Sequence, residues 1–296
     1  MNVLVTGSGG QLGTDIVPIL LDTGFSITGL PSKALDITDE AKTLEAVLSV
    51  KPKVIINCAA YTAVDKAEIE KEKAFKVNRD GARNLAGAAK KAGAFIVHVS
   101  TDFVFDGLKA TPYAETDVTH PLGVYGESKL AGEAAVQESG ARYAIVRTSW
   151  LYGHTGNNFV KTIIRLATEK DSIRVVYDQT GSPTWTKELA KALKAFALAE
   201  AKGNSIEGIY HFSNEGVASW YDFAVMIIEE ARLCGAPIKC GKVEPILTSG
   251  YPTPAKRPPY SVLDKEKIKK ALGIAIPHWR ASLGAMMTEL YGGKRA

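Results

Sequence analysis

Asn2-Val3-Leu4-Val5-Thr6-Gly7-Ser8-Gly9-Gly10-Gln11-Leu12-Gly13 is the stretch that decides the fold. A short apolar run meets glycines at G-x-x-G-x-x-G spacing (Gly7, Gly10 and Gly13), and helical periodicity follows over 12–23. As strand, turn and helix, each glycine has a physical task. Gly7 permits a tight turn at positive φ. Gly10 lets backbone N–H groups approach a pyrophosphate, and Gly13 lets the helix pack closely on the strand. The helix N-terminus adds unpaired N–H donors and the positive end of its dipole.

The same alternation continues outward. Apolar runs at 2–6, 26–30, 54–58, 95–100 and 143–147 carry Val and Ile on both faces, as strands buried on both sides do. Helical patterns at 12–23, 41–50, 66–92 and 128–139 separate them. Strand–helix alternation predicts right-handed crossovers and an α/β fold with a doubly wound parallel (Rossmann) sheet. After Trp150 the pattern changes. A loop at 152–158 leads to a helix at 159–168, a strand at 173–178 and a turn at 179–183. A helix at 187–201, a strand at 208–212, a helix at 220–235 and a Pro-rich loop at 251–260 follow. This predicts a dinucleotide-binding domain over 1–150, with the chain returning to it near 174–202. A smaller α/β substrate-binding domain is expected over 151–173 and 203–296.

The chain has 296 residues, 46% hydrophobic and 23% charged, with a formal net charge of +4. That length can bury a substantial core. No run of five like charges occurs, so no nucleic-acid tail is expected. Cys58, Cys234 and Cys240 form no disulfide framework, and no nearby His completes a zinc set. The first apolar run is too short for a signal peptide, and no run approaches the ~20 residues that span a bilayer. A cytoplasmic protein without membrane or nucleic-acid partners is expected.

Cofactor preference is read at the end of the second strand. NAD-selective sites usually place an acid there, on the ribose 2′-hydroxyl. Here the chain reads Gly29-Leu30-Pro31-Ser32-Lys33, and Ser32 and Lys33 could accept a 2′-phosphate. NADPH is expected, with NADH possible. Asp36, in Leu35-Asp36-Ile37-Thr38, lies where adenine would sit or serves as a helix N-terminal acid. Catalysis is read from Tyr125-Gly126-Glu127-Ser128-Lys129 and Ser100-Thr101-Asp102. Positions i and i+4 share a helix face, so phenol and ammonium can reach one cleft. An adjacent ammonium would lower a phenol pKa that otherwise sits near 10. Thr101, at the carboxyl end of a strand, can hydrogen-bond a substrate carbonyl.

These motifs, in this order, resemble the extended short-chain dehydrogenase/reductases, and within them the dTDP-4-dehydrorhamnose reductase branch. The resemblance runs almost end to end. It includes the string from Asn57 to Glu68, Ser100-Thr101-Asp102-Phe103-Val104-Phe105-Asp106-Gly107 and Arg147-Thr148-Ser149-Trp150. Gly156-Asn157-Asn158-Phe159, Asp178-Gln179-Thr180-Gly181-Ser182-Pro183-Thr184 and Arg257-Pro258 continue it. It implies that Thr101, Tyr125 and Lys129 are catalytic. Gly7, Gly10, Gln11, Leu12, Gly13, Asp36, Ile37, Ala59, Ala60, Tyr61, Thr62, Asn78 and Ser100 would join Tyr125 and Lys129 around the dinucleotide. Thr101, Asp102, Val104, Trp150, Asn158 and Arg257 would hold a nucleotide sugar. A Trp face suits a sugar's C–H surface, and Arg suits a pyrophosphate. The implied reaction is NAD(P)H-dependent reduction of the C4 ketone of dTDP-4-dehydro-6-deoxy-L-mannose to dTDP-L-rhamnose.

Phe103 departs from the Tyr often found there. The acid that a related dehydratase branch carries after Asp102 is absent, which disfavours elimination. Some members bind Mg2+ at a dimer contact through three acids, and Asp15, Glu188 and Glu289 stand at the matching positions. Monomer and homodimer both stay open. So do two alternatives: a reductase or epimerase on another nucleotide sugar, and a non-catalytic regulatory subunit like the methionine adenosyltransferase beta subunit.

Overall fold

The computed structural model describes residues 1–204 and 206–292. Its first half runs β1 (Asn2–Thr6), α1 (Gly13–Leu21), β2 (Ser26–Leu30), α2 (Glu40–Val50), β3 (Val54–Asn57), α3 (Val64–Ala67), α4 (Lys71–Phe75), α5 (Gly81–Ala92), β4 (Phe95–Thr101), α6 (Val124–Glu138) and β5 (Tyr143–Thr148). The second half adds β6 (Leu151–Tyr152), α7 (Phe159–Glu169), β7 (Ser172–Val176), β8 (Thr180–Gly181), β9 (Thr184–Trp185) and α8 (Thr186–Ala201). It ends with β10 (Gly208–Phe212), β11 (Ala218–Ser219), α9 (Trp220–Leu233), β12 (Lys242–Ile246), α10 (Glu266–Leu272) and α11 (Trp279–Leu290).

The main sheet has the order β2-β1-β3-β4-β5-β10, parallel throughout. Because the inner strands β1, β3, β4 and β5 are covered on both sides, their alternate residues enter two cores. Val3, Val5, Val54, Ile56, Phe95 and Val97 face α1 and α8, through Ile16, Leu20, Leu189, Leu193 and Phe196. Leu4, Ile55, Ile96 and Ile145 face α2 and α5, through Val47, Leu85 and Ala86. The strand order reverses between β1 and β3. The loops leaving those strands therefore diverge and open a crevice at their carboxyl ends. A third core lies among α7, α9 and α11, where Val160, Phe223, Ile227, Trp279 and Leu283 pack beneath the β7–β12 pair.

Three expectations about elements change. The helix read over 66–92 is broken into α3, α4, a π-helical turn at Lys76–Asp80 and α5. Unbroken helical periodicity hides such a turn, because a π turn inserts residues without changing their polarity. β10, expected in the substrate-binding segment 203–296, is instead the edge strand beside β5. β7, expected to return to the large domain, pairs with β12 outside the main sheet. The Pro-rich stretch is an irregular strap, as read. It is held where the Thr180 N–H donates to Pro259 O (2.8 Å) and the Ser261 N–H to Thr180 O (2.8 Å). Among the described residues no helix is long and apolar enough to cross a membrane.

Candidate active site

The glycine loop lies at the crevice and touches the loop after β3. Gly7 has φ +68°, and a Cβ there would sit 2.6 Å from the Ala59 backbone nitrogen. The Gly10 N–H donates to Gly7 O at 2.9 Å, which closes the turn. A Cβ on Gly13 would strike Gly7 O and the Ser8 backbone, so this glycine admits the loop's own chain rather than a neighbouring strand. α1 begins with no side-chain cap on its N–H groups. A glycine-rich backbone turn and an uncapped helix start fit a dinucleotide pyrophosphate. Leu12 is buried in the core, so only its backbone faces the loop.

The end of β2 runs beside this loop, with the Ser8 N–H donating to Leu30 O at 3.3 Å. Ser32 and Lys33 follow and are exposed. Asp36 accepts the Thr38 N–H at 2.9 Å in a local turn, and it is Asp39, not Asp36, that caps α2. Ile37 packs into the space over Gly81. Across the crevice, the Tyr61 N–H donates to Asn78 Oδ1 (2.8 Å), and Asn78 Nδ2 donates to Tyr61 O (3.1 Å) and Ser128 Oγ (2.9 Å). Asn78 sits on the π turn and is buried. It clamps the 59–62 segment, including Ala60 and exposed Thr62, to α6 rather than facing a ligand directly.

Thr101 and Tyr125 are hydrogen-bonded where β4 ends beside the first turn of α6, and Lys129, one turn further on, reaches back to the same strand. Burial pushes the Tyr125 phenol up to about 12; a hydrogen bond with the Thr101 side chain opposes this, and the Asp102 charge adds to it. Lys129 is buried and donates from Nζ to Val99 O at 2.6 Å. Burial brings its ammonium down to about 8, against the pull of the Glu133 charge. The expected lowering of the phenol by this ammonium is therefore not what dominates: desolvation wins, and the groups acting on Tyr125 are Thr101 and Asp102. Ser100, expected at the dinucleotide, is buried and its hydroxyl donates to Glu133 Oε1 at 2.5 Å.

The sugar-side residues divide. Asp102 is buried, accepts from Thr101 Oγ1 at 3.0 Å, and is raised to about 6 by burial, with Ser261 near enough to oppose that rise. Val104 is wholly buried beside Phe105, Tyr113 and Leu263, so it shapes the site from beneath. Trp150 has φ +47°, a conformation costly for a side chain this large. Its ring stacks on Trp220 at 3.5 Å and 2°, and a Cβ on Gly181 would lie 2.5 Å from it. Asn158 spends its polar groups internally. It caps α7 through the Lys161 N–H (3.1 Å) and donates to Gln11 Oε1 (2.9 Å) and Gly153 O (2.7 Å). Arg257 forms a two-pronged pair with Asp65, Nη2 to Oδ2 at 2.9 Å and Nη1 to Oδ1 at 3.1 Å, and also donates to Thr253 Oγ1. The strap is thereby tied across to α3. A cavity of about 680 Å³ opens on the second lobe, lined by Tyr177, Thr180, Ser219, Tyr221 and Asp222 among others, and includes none of the three catalytic candidates.

The acid set expected for Mg2+ does not assemble. Asp15 accepts from the Thr186 hydroxyl, Glu188 pairs with Lys191, and Glu289 pairs with Lys187 and His154. Each carboxylate has a partner of its own, and among the described residues no group of three ligating side chains converges.

Several residues in the site carried no role in the sequence. Glu133 lies one helical turn beyond Lys129, and that period of four was a readable signal. Arg147 and Asp65 sit inside recognised strings, but nothing in the strings says what they touch. Thr6, Asn57 and His98 form a buried chain at the base of the crevice, Thr6 Oγ1 to Asn57 Oδ1 at 2.8 Å and Asn57 Nδ2 beside His98 Nδ1 at 3.0 Å. No linear signal marks it.

A family model described as the RmlD substrate binding domain matches residues 1–291. The dTDP-4-dehydrorhamnose reductase of Aggregatibacter actinomycetemcomitans is 45% identical over 95% of this chain and 96% of that protein. That of Escherichia coli K12 is 40% identical over 98% of each. The crystal structure of the Bacillus anthracis dTDP-4-dehydrorhamnose reductase in complex with NADP superposes with a TM-score of 0.89 at 40% identity, covering 97% of this chain and 99% of that one.

Proposed function

This chain belongs to the RmlD substrate binding domain family, and from that premise we propose that it is an oxidoreductase reducing dTDP-4-dehydro-6-deoxy-L-mannose to dTDP-L-rhamnose with NADPH. The carrying observation is that Thr101 and Tyr125 are hydrogen-bonded at the carboxyl end of β4, with Lys129 one helical turn behind, on the same sheet edge as the glycine turn that follows β1. The bound dinucleotide supplies a hydride to C4, and its 2′-phosphate falls to Ser32 and Lys33. The chain's own part is proton delivery and orientation. With its pKa pushed to about 12, the Tyr125 phenol is protonated at neutral pH and is a donor rather than a base. It passes its proton to the ketone oxygen as C4 becomes a secondary alcohol. The Thr101 hydroxyl orients phenol and carbonyl, and the Lys129 ammonium offsets the negative charge left behind.

The second lobe takes the nucleotide sugar, with Trp150 held rigid for the hexose and Arg257 for the pyrophosphate. These assignments rest on the pinned Trp150 ring and on an Arg257 guanidinium that already holds one anionic group, the Asp65 carboxylate, in a two-pronged pair. A cytoplasmic location goes with this reading, since the cofactor and the nucleotide sugar are both water-soluble. The test is turnover of the keto sugar with NADPH by the purified protein and by Tyr125→Phe. General acid catalysis contributes about 10²–10⁴-fold, so the variant should lose at least ~100-fold in kcat. A loss of only a few-fold overturns the role of Tyr125. Absence of turnover by the unaltered protein overturns the reaction.

A further inference from the structure

We infer that Glu133 is a positioning residue: through Ser100 and Arg147 it fixes the face of α6 that carries Tyr125 and Lys129 against the end of β4 that carries Thr101. Residues 125, 129 and 133 lie one turn apart on a single helix face. Glu133 is 1% exposed and Arg147 3%. Glu133 Oε1 accepts from Ser100 Oγ at 2.5 Å and from Arg147 Nε at 3.0 Å, and Oε2 accepts from Arg147 Nη2 at 2.7 Å. Ser100 immediately precedes Thr101. One carboxylate thus joins α6, β4 and β5 directly behind the reacting groups.

The surroundings leave the pair little other purpose. The Arg147 guanidinium lies over Phe105 at 5.2 Å, and its Nη1 is 3.4 Å from His211 Nε2. His211 Nδ1 faces Tyr113 O at 3.0 Å, which assigns the proton to Nδ1 and leaves Nε2 as acceptor. Burial holds this imidazole at about 3, so it is neutral and does not repel the arginine. A buried ion pair seldom stabilises a fold more than apolar packing would. What it supplies is fixed geometry, and a misplacement of ~1 Å at a reacting group can cost ~10²-fold. It also sets charge. Lys129 is faced by Cys58 from the end of β3, by neutral His98 and the Val99 carbonyl from β4, and by Glu133 from its own helix. Glu133 is the only carboxylate among these.

The role rests on the reductase reading above, and the tests separate the two. Ser100→Ala keeps the Glu133–Arg147 pair and removes the tie to β4. Its kcat should fall about tenfold, while KM for both substrates stays within about threefold and the alkaline limb of the pH profile is unmoved. Glu133→Gln should lower kcat and move that limb to lower pH by about one unit, because Lys129 loses its counter-charge. Both variants keeping kcat within twofold, or a Glu133→Gln loss that tracks the folded fraction with an unmoved pH profile, overturns the inference. If the unaltered protein does not reduce the keto sugar, the reaction reading falls, and crystal structures still decide this one. A Thr101–Tyr125 separation that changes by more than ~0.5 Å in Ser100→Ala supports positioning, and an unchanged separation refutes it. Should Glu133→Gln not fold, the Ser100→Ala kinetics and structure decide alone.

Discussion

Two glycines with nearly the same backbone conformation separate strain from contact. Gly7 has φ +68° and Gly24 φ +72°, but a Cβ at Gly24 meets nothing within 4 Å. At Gly7 it would lie 2.6 Å from the Ala59 nitrogen, 2.7 Å from the Ala59 Cα and 2.8 Å from the Cys58 carbonyl carbon. All three are backbone atoms, and Ala59 is further held by its N–H bond to Asn57 Oδ1 at 3.1 Å, so no flexible side chain can yield. Gly24→Ala therefore costs only the left-handed conformation, about 1–2 kcal/mol. Gly7→Ala adds the separation of two loops that form opposite walls of the crevice. With roughly 2–4 °C of melting temperature per kcal/mol, Gly24→Ala should melt about 2–8 °C below wild type, and Gly7→Ala several degrees lower still. Thermal melts and fluorescence titration with NADPH provide the assay. Gly24→Ala should bind as wild type, and Gly7→Ala should bind at least tenfold more weakly, ~1.4 kcal/mol. If Gly7→Ala binds NADPH within twofold of wild type, or melts together with Gly24→Ala, the close approach of the glycine loop to Ala59 is not what holds the cradle.

Asp102 gives a pH-dependent case. Its carboxyl titrates near 6 when folded against an ordinary 3.8, because burial outweighs its hydrogen bonds. Folding therefore takes up a proton between those values, and stability falls as pH rises from about 4 to 6, by up to ~3 kcal/mol. Asp102→Asn should be the more stable protein above pH 6 in urea titrations, with the advantage gone below about pH 4; an advantage independent of pH would contradict the burial argument. Lys33→Glu should raise KM for NADPH by about 10–100-fold and leave that for NADH nearly unchanged, the worth of a charge-assisted contact. Arg257→Ala should raise KM for the sugar nucleotide about tenfold with kcat little altered. Because the Asp65 pair is partly exposed, stability should change by less than ~1 kcal/mol.

The sequence alone determined whatever depends on neighbours along the chain. Gly7–Gly13 after a short apolar strand dictated the turn and the uncapped helix start. Apolar runs buried on both faces dictated a parallel sheet, and the spacing of Tyr125 and Lys129 put them on one helix face. Hydrophobic burial and backbone sterics act locally, so they leave a linear trace. Tertiary structure alone decided where polar groups spend their hydrogen bonds. Ser100 turned inward to Glu133, Asn158 to Gln11, Arg257 to Asp65, Asp15 to Thr186 and Glu289 to Lys187. It also placed β10 in the main sheet and folded a π turn into 76–80 so that Asn78 reaches Tyr61. A buried polar atom must be satisfied by whatever lies nearest in space, often more than a hundred residues away in sequence, and no local pattern records that choice.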